Sequence, residues 1–163
     1  MSSKLIIFGI YGVLVVFIWN VATDVFDKAP EEDCKFCAFV NNTKPIRKLY
    51  DSEELVAFKS DNPTCSQHFL VIPKKHIKNY YSSEVTCDLV FNMSKACEEL
   101  LTEVGQGLNW EVRFHNPPFY SVKHLHMHCM GCSSGLSLNS YINAWHSFAA
   151  PTLNQSCLAE PFK

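Results

Sequence analysis

The chain has 163 residues, of which 47% are hydrophobic and 18% are charged. This length is enough for one domain, and this balance excludes a chain that stays disordered in water. The formal net charge is −2. A chain of that charge has no overall basic field to attract a nucleic-acid polymer, although a small nucleotide can still bind through local donors.

The first predicted element is an apolar segment at residues 5–22, which contains no charged side chain. A helix of that length spans about 27 Å, close to the hydrocarbon thickness of a bilayer. Trp19 near its end suits the membrane interface. We therefore predict a single-pass transmembrane helix within residues 1–23, followed by an acidic linker at residues 24–33. The alternative is a signal peptide cleaved near Ala22, which would make the protein secreted.

The side of the membrane is predicted from a small charge asymmetry around this segment. Lys4 precedes the segment, and acidic residues follow it: Asp24, Asp27, Glu31, Glu32 and Asp33. Positive charge tends to stay in the cytosol, so the simple expectation places the C-terminal domain outside the cytosol. The triplets that begin at Asn41, Asn92 and Asn154 fit the glycosylation pattern and agree with that expectation. A single lysine leaves the side open.

The globular part, residues 34–148, begins with two predicted strands. The first covers residues 54–58, and the second covers residues 67–72 and ends at Pro73, because proline cannot donate to a sheet. Apolar residues at helical spacing then predict a helix over residues 83–104. Ser82 or Ser83 would cap its start, and Gly105 and Gly107 would end it.

After the helix, two more strands are predicted at residues 110–114 and 122–130. Residues 138–148 are compatible with a short helix or a strand, and residues 149–163 are predicted to be a tail. Strands that flank one long helix indicate an α+β domain with an antiparallel sheet.

Eight cysteines are many for this length. They would pair in an oxidising compartment, and in the cytosol they would be thiols, core residues or metal ligands. Cys87 and Cys97 lie in the helical pattern, which predicts small buried hydrophobic side chains. Cys34-x-x-Cys37 has the spacing of metal ligands, but by itself it is only half of a site.

The most specific pattern is the histidine run at residues 124–128. Residues two apart on a strand point to the same face, so His124, His126 and His128 would form a row along about 13 Å of strand. The residues between and after them, Leu125, Met127 and Cys129, would face a core. Three imidazoles on one face are costly to bury without partners, so the row indicates a ligand or catalytic site rather than a merely polar surface.

The same run, with two mostly apolar residues after it, resembles the signature of the histidine-triad (HIT) superfamily. Further stretches resemble its Hint branch in the same order: DCKFC at 33–37, LVAF at 55–58 and HFLVIPKKHI at 68–77. The stretch FHNPPFYS at 114–121 resembles the third, divergent subgroup of that branch, the adenosine 5'-monophosphoramidases, with aprataxin-type proteins next of kin. The resemblance covers residues 33–148 and not the apolar N-terminal segment.

The resemblance implies a HIT-like fold and a purine nucleoside phosphoramidase that needs no catalytic cofactor. It also implies a homodimer built around the long helix. His126 would be the nucleophile that forms a nucleotidyl intermediate, and His128 and Ser121 would hold the phosphate of an AMP-type substrate. His68 would support the orientation of the nucleophile.

The resemblance also implies a structural zinc ion. Its four ligands would be Cys34, Cys37, His76 and His124, a Cys₂His₂ set that suits tetrahedral zinc. The alternatives are a disulfide between the two cysteines or two thiols, and an oxidising compartment would favour the disulfide.

Two departures from the family concern the nucleotide pocket. An aspartate that contacts the ribose in much of the branch is replaced by Ser60, and Asp61, one step on, is the candidate substitute because a turn starts there. The usual glycine-rich approach to the triad is replaced by the stiffer loop at residues 116–119. Phe58 and Ile77 would wall the base or belong to the core.

Two other functions compete with a phosphoramidase. One is a nucleotide-binding or interaction module with little turnover, which the departures at Ser60 and residues 116–119 favour. The other is aprataxin-like removal of AMP from nucleic-acid ends. The absence of a basic patch and the predicted membrane anchor speak against this second alternative and against a nucleic-acid partner.

Overall fold

The computed structural model of the chain describes residues 33–104, 108–115 and 121–132. The predicted transmembrane segment, the linker up to residue 32, the element at 138–148 and the tail at 149–163 lie outside these residues. So do Gly105, Gly107 and the loop at residues 116–119. Among the described residues, no helix combines the length and hydropathy needed to cross a bilayer.

The described residues form one five-stranded antiparallel sheet and two helices. A short helix α1 (Lys35–Val40) precedes strands β1 (Lys48–Asp51), β2 (Leu55–Lys59) and β3 (Gln67–Pro73). The long helix α2 (Cys87–Val104) then leads to β4 (Asn109–Phe114) and β5 (Met127–Cys132). The strand order is β1-β2-β3-β5-β4, so the last strand in the chain lies between β3 and β4. This arrangement confirms the predicted α+β class.

Both faces of the sheet are covered, as the alternation along β2 and β3 shows. Leu55 and Ala57 belong to the core under α2, whereas Val56 and Phe58 belong to a smaller cluster with Phe36 of α1. On β3, Phe69 and Val71 face α2, and Leu70 and Ile72 face α1. Because both faces are buried, these strands are continuous apolar runs rather than alternating polar ones.

The strand predicted at residues 122–130 is wrong at its start, because β5 begins at Met127. The last residue pairs of β5 with its neighbours are Val71↔Met127 and Phe114↔Met127. Just before that point, Leu125 donates its backbone N–H to the carbonyl of Ile77, which lies beyond the end of β3. Residues 124–126 therefore leave the sheet, and the expected row of three histidines on one strand does not form.

The residues predicted to face the core do so. Leu125, Met127 and Cys129 are each at most 2% exposed and lie in the core under α2. Burial is continuous over residues 124–127, since His124 and His126 are only 1% and 7% exposed. Packing in the core under α2, rather than sheet pairing, buries Leu125.

The long helix begins four residues later than predicted, at Cys87. Neither Ser82 nor Ser83 caps it: Thr86 Oγ1 accepts from the N–H of Leu89 (3.1 Å), and Ser82 Oγ accepts from the N–H of Glu84 instead. The side chain that reaches a free N–H in the first turn decides where a helix starts.

Disulfides change the interpretation of several cysteines. Cys65 pairs with Cys132, and Cys97 pairs with Cys129, with Cα atoms 5.1 and 5.7 Å apart. The burial predicted for Cys97 is confirmed, but it is a disulfide partner because it lies where α2 packs on β5. For Cys87 the predicted burial is wrong, since its side chain is exposed at the start of α2.

Candidate functional site

Most of the predicted site residues lie in two groups near the end of β3 and the start of β5. The Cys/His cluster consists of Cys34, Cys37, His76 and His124. The four-histidine cluster consists of His68, His115, His126 and His128. The rings of the last three contact one another, and that of His68 contacts His128. His124 and His126 are only two residues apart, yet their side chains belong to different groups.

In the Cys/His cluster, the side-chain donor atoms converge. The Nδ1 atom of His124 lies 3.4 Å from the sulfur of Cys34 and 3.4 Å from that of Cys37. The Nδ1 atom of His76 lies 3.0 Å from the sulfur of Cys37. Cys34 caps α1 and Cys37 lies in its first turn, so this helix presents both sulfurs to the histidines. Both residues carry thiols and are not joined in a disulfide.

These positions fit a tetrahedral zinc ion. Bonds of about 2.3 Å to sulfur and about 2.0 Å to nitrogen place ligand sulfur and nitrogen about 3.5 Å apart, close to the separations found here. The Nε2–H of His124 donates to the carbonyl of Pro73 at 2.9 Å. That bond leaves the lone pair of His124 on Nδ1, which faces the thiols, as metal-binding histidines require.

His126 has the opposite tautomer to His124. Its Nδ1 lies 2.6 Å from the carbonyl oxygen of His124, so Nδ1–H is the donor and Nε2 carries the lone pair. Burial, helped by the charge of His115, lowers the pKa of His126 to about 3. The side chain is 7% exposed, and the edge of Phe36 packs against its ring with centroids 5.3 Å apart. His126 is therefore a neutral, oriented imidazole with an electron pair on one defined atom.

The other three histidines form a directed chain of hydrogen bonds. The backbone N–H of Thr64 donates to Nδ1 of His68 at 3.1 Å, so a neutral His68 carries its proton on Nε2. That atom lies 2.8 Å from Nδ1 of His128, which must accept. His128 then donates from Nε2 to Nε2 of His115, also at 2.8 Å. One backbone N–H thus determines the tautomers of His68 and His128.

Burial is the main cause of the shifted ionisation in both groups. It lowers the pKa of His68 to about 4, with a smaller contribution from the charge of His115. It lowers the pKa of His124 to about 4 as well, against the opposing effect of the Pro73 carbonyl. Burial together with His126 holds the pKa of His128 well below its usual value. All three rings are neutral near pH 7 and keep the tautomers described above.

The predicted ribose residues do not join the histidines. Asp61 is exposed and pairs with Lys35 of α1, with Oδ2 and Nζ 2.7 Å apart. Ser60 lies beside His68 through its backbone N–H, which donates to the His68 carbonyl at 2.9 Å, while its side chain accepts from the N–H of Asn62. Ser121 is exposed at the start of the segment that leads to His124.

Two residues of the site were missed by sequence reasoning. His115 directly follows β4, and the β4–β5 pairing brings it beside His128; the motif at 114–121 contained it, but nothing in the pattern assigned it a role. Phe36 lies between the two cysteines, and its ring contacts both His124 and His126. Of the two candidate base walls, Ile77 belongs to the core under α2, and Phe58 packs against Phe36.

A small cleft opens beside these groups. It is lined by residues that follow β3, by the end of β4 and by the segment before β5: Lys78, Asn79, Tyr80, Phe114, His115, Val122, His124, Leu125 and His126. His126 and His115 therefore line the same small cleft.

Comparisons with known proteins agree with this architecture. Residues 33–141 match the family described as "Scavenger mRNA decapping enzyme C-term binding". The chain is 36% identical over 99 residues to a bifunctional adenosine 5'-phosphosulfate phosphorylase/adenylylsulfatase, HINT4, of Arabidopsis thaliana, covering 59% of this chain and 68% of that one. It is 30% identical over 132 residues to the adenosine 5'-monophosphoramidase HINT3 of Danio rerio, covering 76% of this chain and 81% of that one.

Solved structures give the same result for the fold. A HIT family hydrolase from Clostridium thermocellum superposes with a TM-score of 0.57 at 26% identity, covering 66% of this chain and 97% of that one. A histidine triad protein from Clostridium difficile superposes with a TM-score of 0.56 at 28% identity, covering 63% and 93%. The matching family model, the relatives and the solved structures agree. The chain therefore belongs to the histidine-triad superfamily and is of the Hint type.

Proposed function

We propose that this protein is a nucleotide-binding hydrolase that cleaves purine nucleoside phosphoramidates through a nucleotidyl intermediate on His126. The observation that carries the proposal is the hydrogen bond from His126 Nδ1–H to the carbonyl of His124. This bond leaves the lone pair on Nε2, the atom that must attack phosphorus. The relative from Danio rerio, named as an adenosine 5'-monophosphoramidase, supports the choice of substrate.

The reaction proceeds in two displacements at the α-phosphorus. Nε2 of His126 forms a bond to phosphorus while the phosphorus–nitrogen bond of the substrate breaks, and the amine leaves with a proton from solvent. Water then attacks phosphorus, the bond to His126 breaks, and AMP is released. Splitting the reaction this way replaces one difficult hydrolysis by two easier displacements.

His128 and Ser121 hold the phosphate oxygens in this proposal. His128 presents Nε2–H, now bonded to His115, and this donor can turn to a non-bridging oxygen whose negative charge grows during attack. His68 is a positioning residue, because it acts on the substrate only through His128. Ser60 and Asp61 are proposed to contact the ribose, with Asp61 exchanging its partner Lys35 for a hydroxyl.

The Cys/His cluster has a structural role in the proposal. Cys34, Cys37, His76 and His124 would hold a zinc ion that cross-links α1 to the segment after β3 and to the segment before β5, a structural rather than a chemical role. The cluster matters for the reaction indirectly, since the carbonyl that orients His126 belongs to His124.

We further propose a membrane anchor at residues 5–22 and a homodimer built around α2. Phe91 on α2 and Trp110 on the edge strand β4 are 59% and 45% exposed. Large apolar side chains at that exposure, next to a strand with one unpaired edge, suit a symmetric interface between two copies of the chain.

The proposal is tested by incubating the full chain with adenosine 5'-phosphoramidate and measuring AMP release. A rapid denaturing quench at high pH should trap a fraction of the protein with one covalently attached AMP, located at His126 by peptide mass spectrometry. The variant His126→Ala should release no AMP and trap no adduct, while Lys44→Ala, a change in the exposed loop after α1, should behave as wild type.

Each alternative function has its own result in this assay. Tight AMP binding with no turnover would favour a binding module. Release of AMP from 5'-adenylated DNA, with none from the phosphoramidate, would favour the aprataxin-like activity. Undiminished turnover by His126→Ala would overturn the mechanism.

A further inference from the structure

The loop between β2 and β3, residues 60–66, carries the donor that directs the four-histidine cluster. The backbone N–H of Thr64 donates to Nδ1 of His68 at 3.1 Å, and Nε2 of His68 donates to Nδ1 of His128 at 2.8 Å. We call these bonds, together with the bond from His128 to His115, the donor chain. Because Thr64 fixes which nitrogen of His68 carries the proton, it also fixes the donor that His128 presents at Nε2. The attachment of this loop therefore bears on the phosphate-binding donor of the site.

Three consecutive side chains of this loop fasten it to the end of β5. Thr64 Oγ1 lies 3.3 Å from a methionine sulfur of β5, and Ser66 Oγ donates to the carbonyl of Gly131 at 3.0 Å. Between these two residues, Cys65 forms the disulfide with Cys132. A thioether is a weak acceptor, and a single neutral hydrogen bond adds little net stability. The disulfide is therefore the strongest of the three attachments, and it lies one residue from Thr64.

This disulfide is more accessible than the one that joins α2 to β5. Cys65 is half-buried and lies in the loop, whereas Cys132 is 6% exposed. Cys97 and Cys129 are both 0% exposed and lie in the core under α2. Thiol–disulfide exchange begins when a thiolate reaches a sulfur atom, so its rate depends on access to that atom. A small thiol in solution therefore reaches Sγ of Cys65 before it reaches the buried disulfide.

We propose that the disulfide between Cys65 and Cys132 is a redox switch, which maintains the donor chain when it is formed and weakens it when it is reduced. The thiolate of a low-molecular-weight thiol attacks Sγ of Cys65, the S–S bond breaks, and its electron pair leaves on Sγ of Cys132, which takes up a proton. A second thiol attacks the mixed disulfide and releases Cys65 as a thiol. Two thiols are thus oxidised to one disulfide, while the protein disulfide gains two electrons and two protons. This inference rests on the proposed function, because AMP release is the activity that the switch controls.

Reduction acts on the direction of the donor chain and not on the nucleophile. Once the loop is no longer cross-linked, only weaker contacts hold the N–H of Thr64 opposite Nδ1 of His68, and the proton of His68 can move to Nδ1. Nε2 of His68 then accepts from Nδ1 of His128, and Nε2 of His128 carries a lone pair instead of a donor. His126 keeps its tautomer, because the carbonyl of His124 sets it. We therefore expect reduction to lower kcat and to leave the zinc content unchanged.

The experiment measures AMP release from saturating adenosine 5'-phosphoramidate by the full chain, in buffers with graded ratios of glutathione to glutathione disulfide. In the same samples, alkylation with peptide mass spectrometry reports the thiol at Cys65, and metal analysis reports zinc. Reduction should lower kcat by about 5- to 10-fold, the effect of weakening one hydrogen bond, in step with the appearance of the Cys65 thiol. Reoxidation should restore kcat, and the zinc content should stay constant throughout.

Variants separate the switch from a loss of fold. Cys65→Ser lacks the disulfide, so it should show the low kcat of the reduced wild type in every buffer. Lys44→Ala, the control in the exposed loop after α1, should respond to glutathione as the wild type does. His68→Ala lacks the residue through which the loop acts, so reduction should change its remaining turnover by less than about 2-fold. If thermal denaturation shows that Cys65→Ser is unfolded, Cys132→Ala removes the same disulfide from the other side and takes its place.

The outcomes distinguish this inference from the proposed function. A wild type that releases no AMP in any buffer overturns the proposed function and the inference together. An equal kcat in all buffers overturns the inference alone, whether the Cys65 thiol appears or the disulfide resists the most reducing buffer. A loss on reduction in Cys65→Ser or His68→Ala that equals the loss in the wild type, or a loss that follows the release of zinc, also overturns it and leaves the phosphoramidase intact.

Discussion

The Cys/His cluster and the four-histidine cluster lie side by side, yet their hydrogen bonds prepare them for different chemistry. In the Cys/His cluster, the Nε2–H of His124 donates to a backbone carbonyl, and the lone pair on its Nδ1 faces two thiols. In the four-histidine cluster, the backbone N–H of Thr64 imposes a direction, so that His128 offers a donor rather than a lone pair at Nε2.

The difference teaches that proximity of imidazoles does not by itself make a metal site. Nitrogens of His115, His126 and His128 also come close enough to surround an ion. For His128 to bind it through Nε2, the proton would move to Nδ1 and reverse the chain. The reversed His68 would then place Nδ1–H against the N–H of Thr64, donor against donor. The backbone thus opposes metal binding at the second cluster and favours it at the first.

The largest expected effects come from replacing His126 and His124 separately. His126→Asn should lower AMP release by at least about 10³-fold, because it removes the nucleophile, and should leave the zinc content at one ion per chain. His124→Asn should lower the zinc content, with a smaller loss of turnover through the displaced carbonyl. Zinc analysis and AMP release on the same samples test both; loss of zinc in His126→Asn would break the comparison.

Removal of the metal should have the next largest effect, on stability. Cys37→Ser or chelation should lower Tm by more than about 10 °C, because a structural zinc stabilises only the folded chain. Scanning calorimetry measures the change. Ser66→Ala is the control, since Ser66 Oγ donates to the Gly131 carbonyl away from the cluster. Stability unchanged by chelation would show that α1 needs no metal.

Breaking the donor chain should lower turnover without removing the nucleophile. His68→Ala deletes the donor to His128, so we expect kcat to fall by about 10- to 100-fold. His68→Gln, which can still offer an N–H, should recover part of the loss. Zinc content should stay at the wild-type level in both variants, and a parallel loss of zinc would mean that the two clusters are not independent.

The pH dependence should report the buried state of His68. Since its pKa is lowered to about 4, the His68 ring stays neutral from about pH 7 down to about pH 5. AMP release should stay constant over that range and fall as the pH approaches 4. In the unfolded chain the same histidine takes up a proton near pH 6.5. Because the unfolded state then binds more protons, stability rises with pH between about 4 and 6.5. Denaturant titrations across this range check the sign of the change in stability. A loss of AMP release that begins near pH 6.5 would contradict the lowered pKa of His68.

The smallest expected effect concerns the ion pair that links α1 to the loop before His68. Asp61→Ala breaks an exposed pair with Lys35, so it should change the free energy of unfolding by less than about 1 kcal/mol. If Asp61 contacts the ribose, KM should rise a few-fold for adenosine 5'-phosphoramidate and not for its 2',3'-dideoxy analogue. Equal KM values of the wild type for the two nucleotides would show that Asp61 does not contact the ribose hydroxyls.

Local sequence patterns predicted the elements that carry long apolar signals. Strands β2, β3 and β4 begin and end within one residue of the prediction, and α2 ends at Val104 as expected. Helix α1 and strand β1 were missed because six and four residues are too short for periodicity to show. The start of β5 was wrong because an alternating sequence of histidines and apolar residues resembles a strand even where the backbone bonds to Ile77 instead.

The candidate site was predictable in its members more than in its arrangement. The four proposed zinc ligands came from the family resemblance, and the fold brings all four together. The separate roles of His124 and His126 came from that same resemblance. His115 could not be singled out, because its place beside His128 depends on the pairing of β4 with β5.

The sequence by itself determined which side chains face the core around the triad, since Leu125, Met127 and Cys129 alternate with the three histidines and are all buried under α2. Only the tertiary structure decided what each histidine can do. The partners that select the tautomers are the Pro73 carbonyl for His124 and His68 for His128, which lie 51 and 60 residues away along the chain. A ring nitrogen donates or accepts according to the atom opposite it, and no pattern along the chain specifies that atom.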